Sequence, residues 1–219
     1  MLIVKDLALK YNEKTIFENL SFKLGKGEIL AVKGKNGSGK TSLCLALAGL
    51  MRNEEKINLS GDIFYDGKNI SGLSIFEKCL EVGLVFQNPE NQIFSPLVTE
   101  EMVFAPENLA ILREEMARRL QNTLKICGIE HLKSKKTSEL SGGEKQLLAL
   151  ASVLTMQPKL LIVDEITSRI DSDNKEKVHG ILKDYAKQGN SVIIVTHSEK
   201  DLEIADKLLL MGEKTKSED

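Results

Sequence analysis

Hydrophobic positions along this chain change their period several times, and each change marks an element. Over residues 2–9 and 16–24 apolar and polar residues alternate closely enough to predict two strands, the second with Ile16, Leu20, Phe22 and Leu24 on one face. Gly25-Lys26-Gly27 is a turn into residues 28–33 (EILAVK), a short apolar run suited to a buried strand, and residues 42–51 (SLCLALAGLM) favour a helix. Residues 63–65 followed by Asp66-Gly67 predict a strand and a tight hairpin turn. Residues 82–86 form a further apolar strand that stops at Gln87-Asn88-Pro89. From there to about residue 157 the pattern is helical, with Leu109, Leu112, Met116, Leu120, Leu124 and Cys127 on one amphipathic face. Residues 160–163 and 192–195 are almost wholly apolar, as strands of a parallel sheet covered on both faces should be. Residues 212–219 are a charged tail expected to fray. With no internal repeat or linker, the pattern predicts one α/β domain over residues 1–219. One lobe (1–88 and 158–219) is interrupted by a helical lobe (89–157).

Between the strand at 28–33 and the helix at 42–51 lies Gly34-Lys35-Asn36-Gly37-Ser38-Gly39-Lys40-Thr41, then Ser42, a complete G-x-x-x-x-G-K-[ST] phosphate loop. Its glycines let successive backbone N–H groups turn inward on a polyanion, at the positive end of the following helix. Lys40 can reach the β- and γ-phosphates, and the Thr41 hydroxyl is placed to ligate Mg²⁺. The chain is expected to bind a nucleoside triphosphate.

Composition narrows the setting. A chain 42% hydrophobic and 28% charged is neither disordered nor membrane-embedded. A net charge of −2 with no long basic run gives no electrostatic footprint for nucleic acid. The longest apolar stretch, residues 43–51, is too short to span a bilayer, and the N-terminus leads into strand-like sequence without a signal-peptide pattern. Cys44, Cys79 and Cys127 are widely spaced, lack ligand-like histidines, and are expected as buried thiols in a reducing compartment. A cytoplasmic protein able to dock on a membrane protein is expected.

A second anion-seeking element lies about a hundred residues on. Leu140-Ser141-Gly142-Gly143-Glu144 opens a helix, with Ser141 as N-cap and two glycines leaving backbone N–H groups uncovered at the positive end of the dipole. Alone, the string serves equally as a cap on a core helix. Beside a phosphate loop, LSGGE resembles the signature of the ATP-binding-cassette (ABC) ATPases, usually LSGGQ. The resemblance covers essentially the whole chain and implies a P-loop, RecA-like core with an antiparallel β subdomain and an inserted helical lobe. Residues 160–165 (LLIVDE) resemble the Walker B strand, which implies Asp164 in the Mg²⁺ shell and Glu165 orienting or deprotonating the attacking water. Val195-Thr196-His197 resembles the switch-histidine motif, which implies a contact of His197 with the γ-phosphate. Gln87 matches the Q-loop glutamine, a ligand or water bridge to Mg²⁺ that also touches the membrane partner. Tyr11 matches the aromatic that stacks on adenine, although an aromatic at that point serves equally as core.

Residues 86–94 (FQNPENQIF) and 98–109 (VTEEMVFAPENL) closely resemble the ATPases of energy-coupling-factor (ECF) transporters, which include cobalt, nickel and vitamin importers. The resemblance implies a short helix started by Pro89 and containing Gln92, beside a groove for a coupling helix of the transmembrane subunit. It also implies a head-to-tail dimer, in which ATP held by the phosphate loop of one subunit is capped by Ser141 to Glu144 of a second ABC ATPase subunit, a copy or a sibling chain. Several positions depart from the family. Ile166 replaces the usual proline, Arg169 and Ile170 replace the Gly-Leu before Asp171, Leu147 replaces a basic residue, and Lys35 replaces a common proline. Many ECF ATPases also carry a C-terminal extension that helps hold the pair together; here the chain stops soon after Leu210, so standing dimerisation without ATP is less expected. Competing classes are an ATPase of another type of ABC transporter, a soluble ABC-type ATPase, which usually brings a second cassette or a long coiled coil, and a GTP-binding switch, whose Asn-Lys-x-Asp string is missing.

Overall fold

The computed structural model of the chain describes residues 1–51, 56–168 and 170–212. The apolar runs at 160–163 and 192–195 lie at the middle of a five-stranded parallel sheet. Its order is β6 (Val82–Val85), β7 (Leu160–Asp164), β8 (Ser191–Val195), β3 (Ile29–Gly34) and β9 (Lys207–Met211). Alternate residues of the three inner strands, β7, β8 and β3, feed two cores. Leu161, Val163, Val192, Ile194 and Ile29 join one with the helices α4 (Arg113–Cys127), α5 (Gly142–Leu154) and α6 (Ser172–Lys187). Leu160, Ile162, Ile193, Val195, Leu30 and Val32 join the other with α1 (Lys40–Leu47) and the second sheet. Both faces are therefore covered, which is why these strands lack polar alternation.

The second sheet is antiparallel, in the order β2 (Lys14–Leu24), β1 (Leu2–Tyr11), β4 (Ile57–Tyr65), β5 (Lys68–Asn69). Asp66 and Gly67 join its last two strands with φ of 48° and 81°, the doubly left-handed turn that an Asp-Gly pair suits. The expected single face of β2 is not continuous. Register shifts interrupt its pairing with β1, Asn19 has φ 52°, and Phe17 is buried opposite Leu9. Ile16 lies at one shift, between the pairs Leu9↔Phe17 and Lys10↔Thr15, and packs with Leu20, Phe22 and Leu24 against the same core.

Three further expectations are corrected. The first helix spans Lys40–Leu47 rather than 42–51, since Gly49 takes φ 74° and ends it. The apolar row from Leu109 to Cys127 is not one helix: α3 (Val98–Asn108) stops at Leu109, Ala110 has φ 53°, and Leu112 is 79% exposed ahead of α4. Cys79 is exposed at the end of α2 (Ile75–Cys79), whereas Cys44 and Cys127 are buried, and burial pushes the Cys127 thiol up to about 12. Residues 213–219 of the expected tail, and Arg169, lie outside the described residues.

Helices α3, α4 and α5 come between β6 and β7 in sequence, yet the two strands are neighbours in the sheet. The close packing of α5 on β6 depends on Gly83. A Cβ there would lie 2.5 Å from Val153 Cγ1 and 2.7 Å from Pro158 Cγ. Gly83→Ala is expected to destabilise the fold by about 1–3 kcal/mol, the usual cost of overpacking. A fall in the urea midpoint measures it; an unchanged midpoint would contradict this packing.

Candidate functional site

Residues 34–42, Gln87, Asp164, Glu165 and His197 gather at the carboxyl ends of four neighbouring strands. β3 ends in the phosphate loop, β7 in Asp164 and Glu165, β8 in Thr196 and His197, and β6 one residue before Phe86 and Gln87. Strand register aligns them, with Val195 opposite both Asp164 and Val32. This edge is where parallel sheets present ligand sites.

A cavity of about 400 Å³ is lined by Asn36, Gly37, Gly39, Lys40, Thr41, Ser42, Gln87 and Glu165, with Ile16 as its aliphatic wall. Gly39 caps α1 with φ 93°, a conformation that exposes the first helical N–H groups to the cavity side of the loop. Lys40 is almost fully buried, donating to the carbonyls of Gly34 at 2.9 Å and Lys35 at 3.2 Å, with its Nζ 4.0 Å from Glu165 Oε1. The Ser38 hydroxyl is buried in the loop with no hydrogen-bond partner among the described residues. Gly34 and Lys35 line an adjoining cavity of about 320 Å³ together with His197.

Behind the loop, Thr41 Oγ1 donates to Asp164 Oδ2 at 2.8 Å. Burial raises the Asp164 carboxyl above its ordinary value, the Thr41 bond opposes this, and the neighbouring Glu165 charge adds to it. Glu165 is the hub. Gln87 Nε2 donates to its Oε2 at 2.9 Å, and His197 Nε2 lies 3.3 Å from its Oε1. Its backbone has φ 51°, and its carbonyl accepts from Ser168 N at 3.1 Å and Ser168 Oγ at 2.7 Å.

Two groups of expected residues lie apart from this cavity. Tyr11 ends β1 with its hydroxyl 3.7 Å from Met51 Sδ, and Ile16, not Tyr11, lines the cavity. Ser141, Gly142, Gly143 and Glu144 begin α5 and are not among the cavity's lining residues either. There the Ser141 hydroxyl accepts from Glu144 N while the Glu144 carboxylate accepts from Ser141 N at 2.7 Å, which holds that carboxyl below its ordinary value. Ser141 and Gly142 remain exposed.

The segment after Gln87 forms a single 3-10 turn, Pro89–Asn91, and Gln92 closes it rather than lying within it. Gln92 accepts from Phe86 N at 3.0 Å and donates to Ala149 O at 3.1 Å, and Gln146 Nε2 reaches Phe86 O at 3.4 Å. The peptide just ahead of Gln87 is thus strapped to the signature helix. Sequence reading missed Ile16, Gln146 and the Thr167–Thr196–Asp201 cluster described below. Nothing short of the bulge in β2 distinguishes Ile16 from any strand residue.

A glycine loop at the carboxyl edge of a parallel sheet, with a carboxylate pair at the end of β7 two strands away, defines a P-loop nucleotide-binding ATPase. Comparison with known proteins agrees. The profile described as ABC transporter matches residues 17–168. The energy-coupling factor transporter ATP-binding protein EcfA1 of Fusobacterium nucleatum is 42% identical over 213 residues, 97% of this chain and 79% of the relative. The cobalt import ATP-binding protein CbiO of Syntrophus aciditrophicus is 37% identical over 216 residues, 97% of this chain and 75% of the relative. The structure of cbiO1 from Clostridium perfringens, part of the ABC transporter complex cbiONQ, superposes with a TM-score of 0.83 at 34% identity, covering 96% of this chain and 84% of that one. The chain belongs to the ABC transporter family as an ATP-binding ATPase cassette, most like those of energy-coupling-factor and cobalt importers.

Removing the Lys40 ammonium takes away the one buried cation of the loop. Lys40→Ala is expected to weaken ATP binding at least about tenfold, since hydrogen bonds to charged groups contribute roughly 1.5–3 kcal/mol. Titration with a fluorescent ATP analogue measures this, and wild-type affinity would contradict it.

Proposed function

We propose that this chain powers an ECF-type importer of a vitamin or a transition-metal ion. It would work as a head-to-tail ATPase pair docked on a transmembrane subunit at the inner face of the membrane. One observation carries the reading: the chain holds two helix starts suited to phosphate, and only one of them, at Gly39, meets the carboxylate pair. The other, at Ser141, suits the nucleotide of a second subunit, and a two-fold axis then completes two sites. The division into lobes 1–88 with 158–219 and 89–157 belongs to the same reading, with the second lobe carrying the capping motif.

The donors suit Mg²⁺. Thr41 Oγ1 and Asp164 Oδ2 are hard oxygens held together, and no group of three His, Cys, Asp or Glu able to hold a metal occurs among the described residues. Such a site would be completed by phosphate oxygens and water, with Gln87, which lines the same cavity, as a further ligand or water bridge. Bound there, Mg²⁺ would supply charge neutralisation for the β- and γ-phosphates. The loop amides and Lys40 hold the phosphates in line. Glu165 accepts a hydrogen bond from the attacking water and takes its proton, while His197 contacts the γ-phosphate. A phosphate entering the loop competes with Glu165 for Lys40 and frees the carboxylate for water.

Transport coupling rests on the relatives' names and on one surface. Phe94 and Phe104 are 63% and 46% exposed and meet edge to face with centroids 4.4 Å apart, just beyond Gln87. No helix among the described residues is long and apolar enough to cross a membrane, and in this reading passage of the solute falls to a transmembrane subunit. Affinity purification from membranes is the test. A transmembrane subunit should co-purify, and recovery of the chain without one would contradict the importer reading.

Glu165→Gln keeps the hydrogen bonds to Gln87 and His197 feasible while removing the base. ATP turnover is expected to fall by about a hundredfold or more, the range for general base catalysis, with ATP binding retained. Hydrolysis at the wild-type rate would show that another group activates the water.

A further inference from the structure

Asp201, on the short helix α7 (Glu199–Leu202), has no solvent exposure, yet nothing in the mechanism above uses it. A buried carboxylate costs several kcal/mol unless its partners are well placed. Here they are. Its Oδ2 accepts from Thr167 Oγ1 at 2.5 Å and from the Thr196 hydroxyl, and its Oδ1 faces His179 Nε2 at 2.6 Å. Burial opposes the charge, but the bonds from His179, Thr167 and Thr196 outweigh it and hold the carboxyl below its ordinary value.

The donors come from the segments that carry the chemistry. Thr196 immediately precedes His197, and its hydroxyl also accepts from Ser198 N at 2.9 Å, fixing the turn on which the histidine sits. Thr167 is two residues beyond Glu165, whose left-handed backbone is a conformation that a non-glycine residue holds only under outside constraint. A single oxygen therefore grips both loops from behind, while Glu165 and His197 touch each other in front. The remaining oxygen connects to α6 through His179. At the start of that helix, Asn174 Nδ2 lies 3.1 Å from where a Cβ on Gly143 of the signature motif would stand. From Asn174 to His179 is about 7.5 Å of helix at 1.5 Å per residue.

We propose that Asp201 is a positioning residue for ATP hydrolysis: its carboxylate fixes Glu165 and His197 at one spacing and references both to the helix that abuts the signature glycines. The proposal rests on the reading of Glu165 and His197 as the pair facing the water and the γ-phosphate. Phosphate binding by the loop does not pass through Asp201, so the defect should appear in turnover and not in affinity.

The test compares steady-state hydrolysis, nucleotide affinity and thermal midpoint for Thr167→Val/Thr196→Val, Asp201→Asn and Asp201→Leu. The double valine variant is nearly isosteric and keeps the carboxylate's bond to His179. Its kcat is expected to fall about tenfold to a hundredfold, the scale of a small misplacement of catalytic groups, with KM for ATP within about twofold. Asp201→Asn retains an acceptor for both hydroxyls and should keep more activity than Asp201→Leu. Wild-type kcat in the valine variant would overturn the proposal. So would a loss of kcat that runs in step with a raised KM and a lowered melting midpoint, since that marks a merely structural cluster. Turnover by Glu165→Gln at the wild-type rate would instead remove the reading on which the proposal rests, whatever the valine variant does.

Discussion

Four parallel strands, β6, β7, β8 and β3, stop at one edge of their sheet, and the side chains that converge beside the glycine loop depend on that edge. The strands are held in register by backbone bonds and by two cores packed on opposite faces, so their ends cannot shift independently. Gln87, Asp164, Glu165, His197 and Lys40 leave this edge on short connections, and their side chains converge within hydrogen-bond or ion-pair reach of Glu165 or Thr41. Preorganisation of this kind is what phosphoryl transfer asks of a protein, because positioning and charge stabilisation carry most of the rate.

Electrostatics tighten the arrangement. Two carboxylates, Asp164 and Glu165, stand side by side with one buried ammonium, Lys40, and the first is raised by its burial. Added positive charge between Thr41 and Asp164 relieves that burden, and added negative charge over the glycine loop is met by Lys40 and the helix N-terminus. A nucleotide with its divalent cation meets both needs together. At the back of the same loops Asp201 is satisfied in a different way, by two hydroxyls and an imidazole.

Much of this was legible in the amino-acid sequence because its chemistry is local. The glycine loop needs eight consecutive residues, the Ser141 cap needs four, and Asp66-Gly67 declares its turn in two. The doubly covered strands announce themselves by lacking polar alternation. What stayed hidden is what arises between distant segments or from broken periodicity. The register shift at Ile16, which lines the cavity, arises from pairing with β1, and the break at Ala110 splits a row of apolar residues that reads as one helix. Asp201 lies 34 residues from Thr167 along the chain, and no spacing rule links them. Tyr11 matched a motif; its hydroxyl lies by Met51, and Ile16 lines the cavity of the glycine loop.

Central to the account is that the helix starts at Gly39 and Ser141 serve different nucleotides, so that one chain owns half of each of two pockets. Sedimentation of the Glu165→Gln variant at saturating Mg²⁺-ATP, alone and mixed with any ATPase chain that co-purifies with it, probes this directly. The account predicts a species of two cassettes, twice the 24.3 kDa of one chain for a pair of copies, that reverts when nucleotide is withdrawn. A species that binds ATP and yet sediments as a single 24.3 kDa chain in both conditions would contradict it.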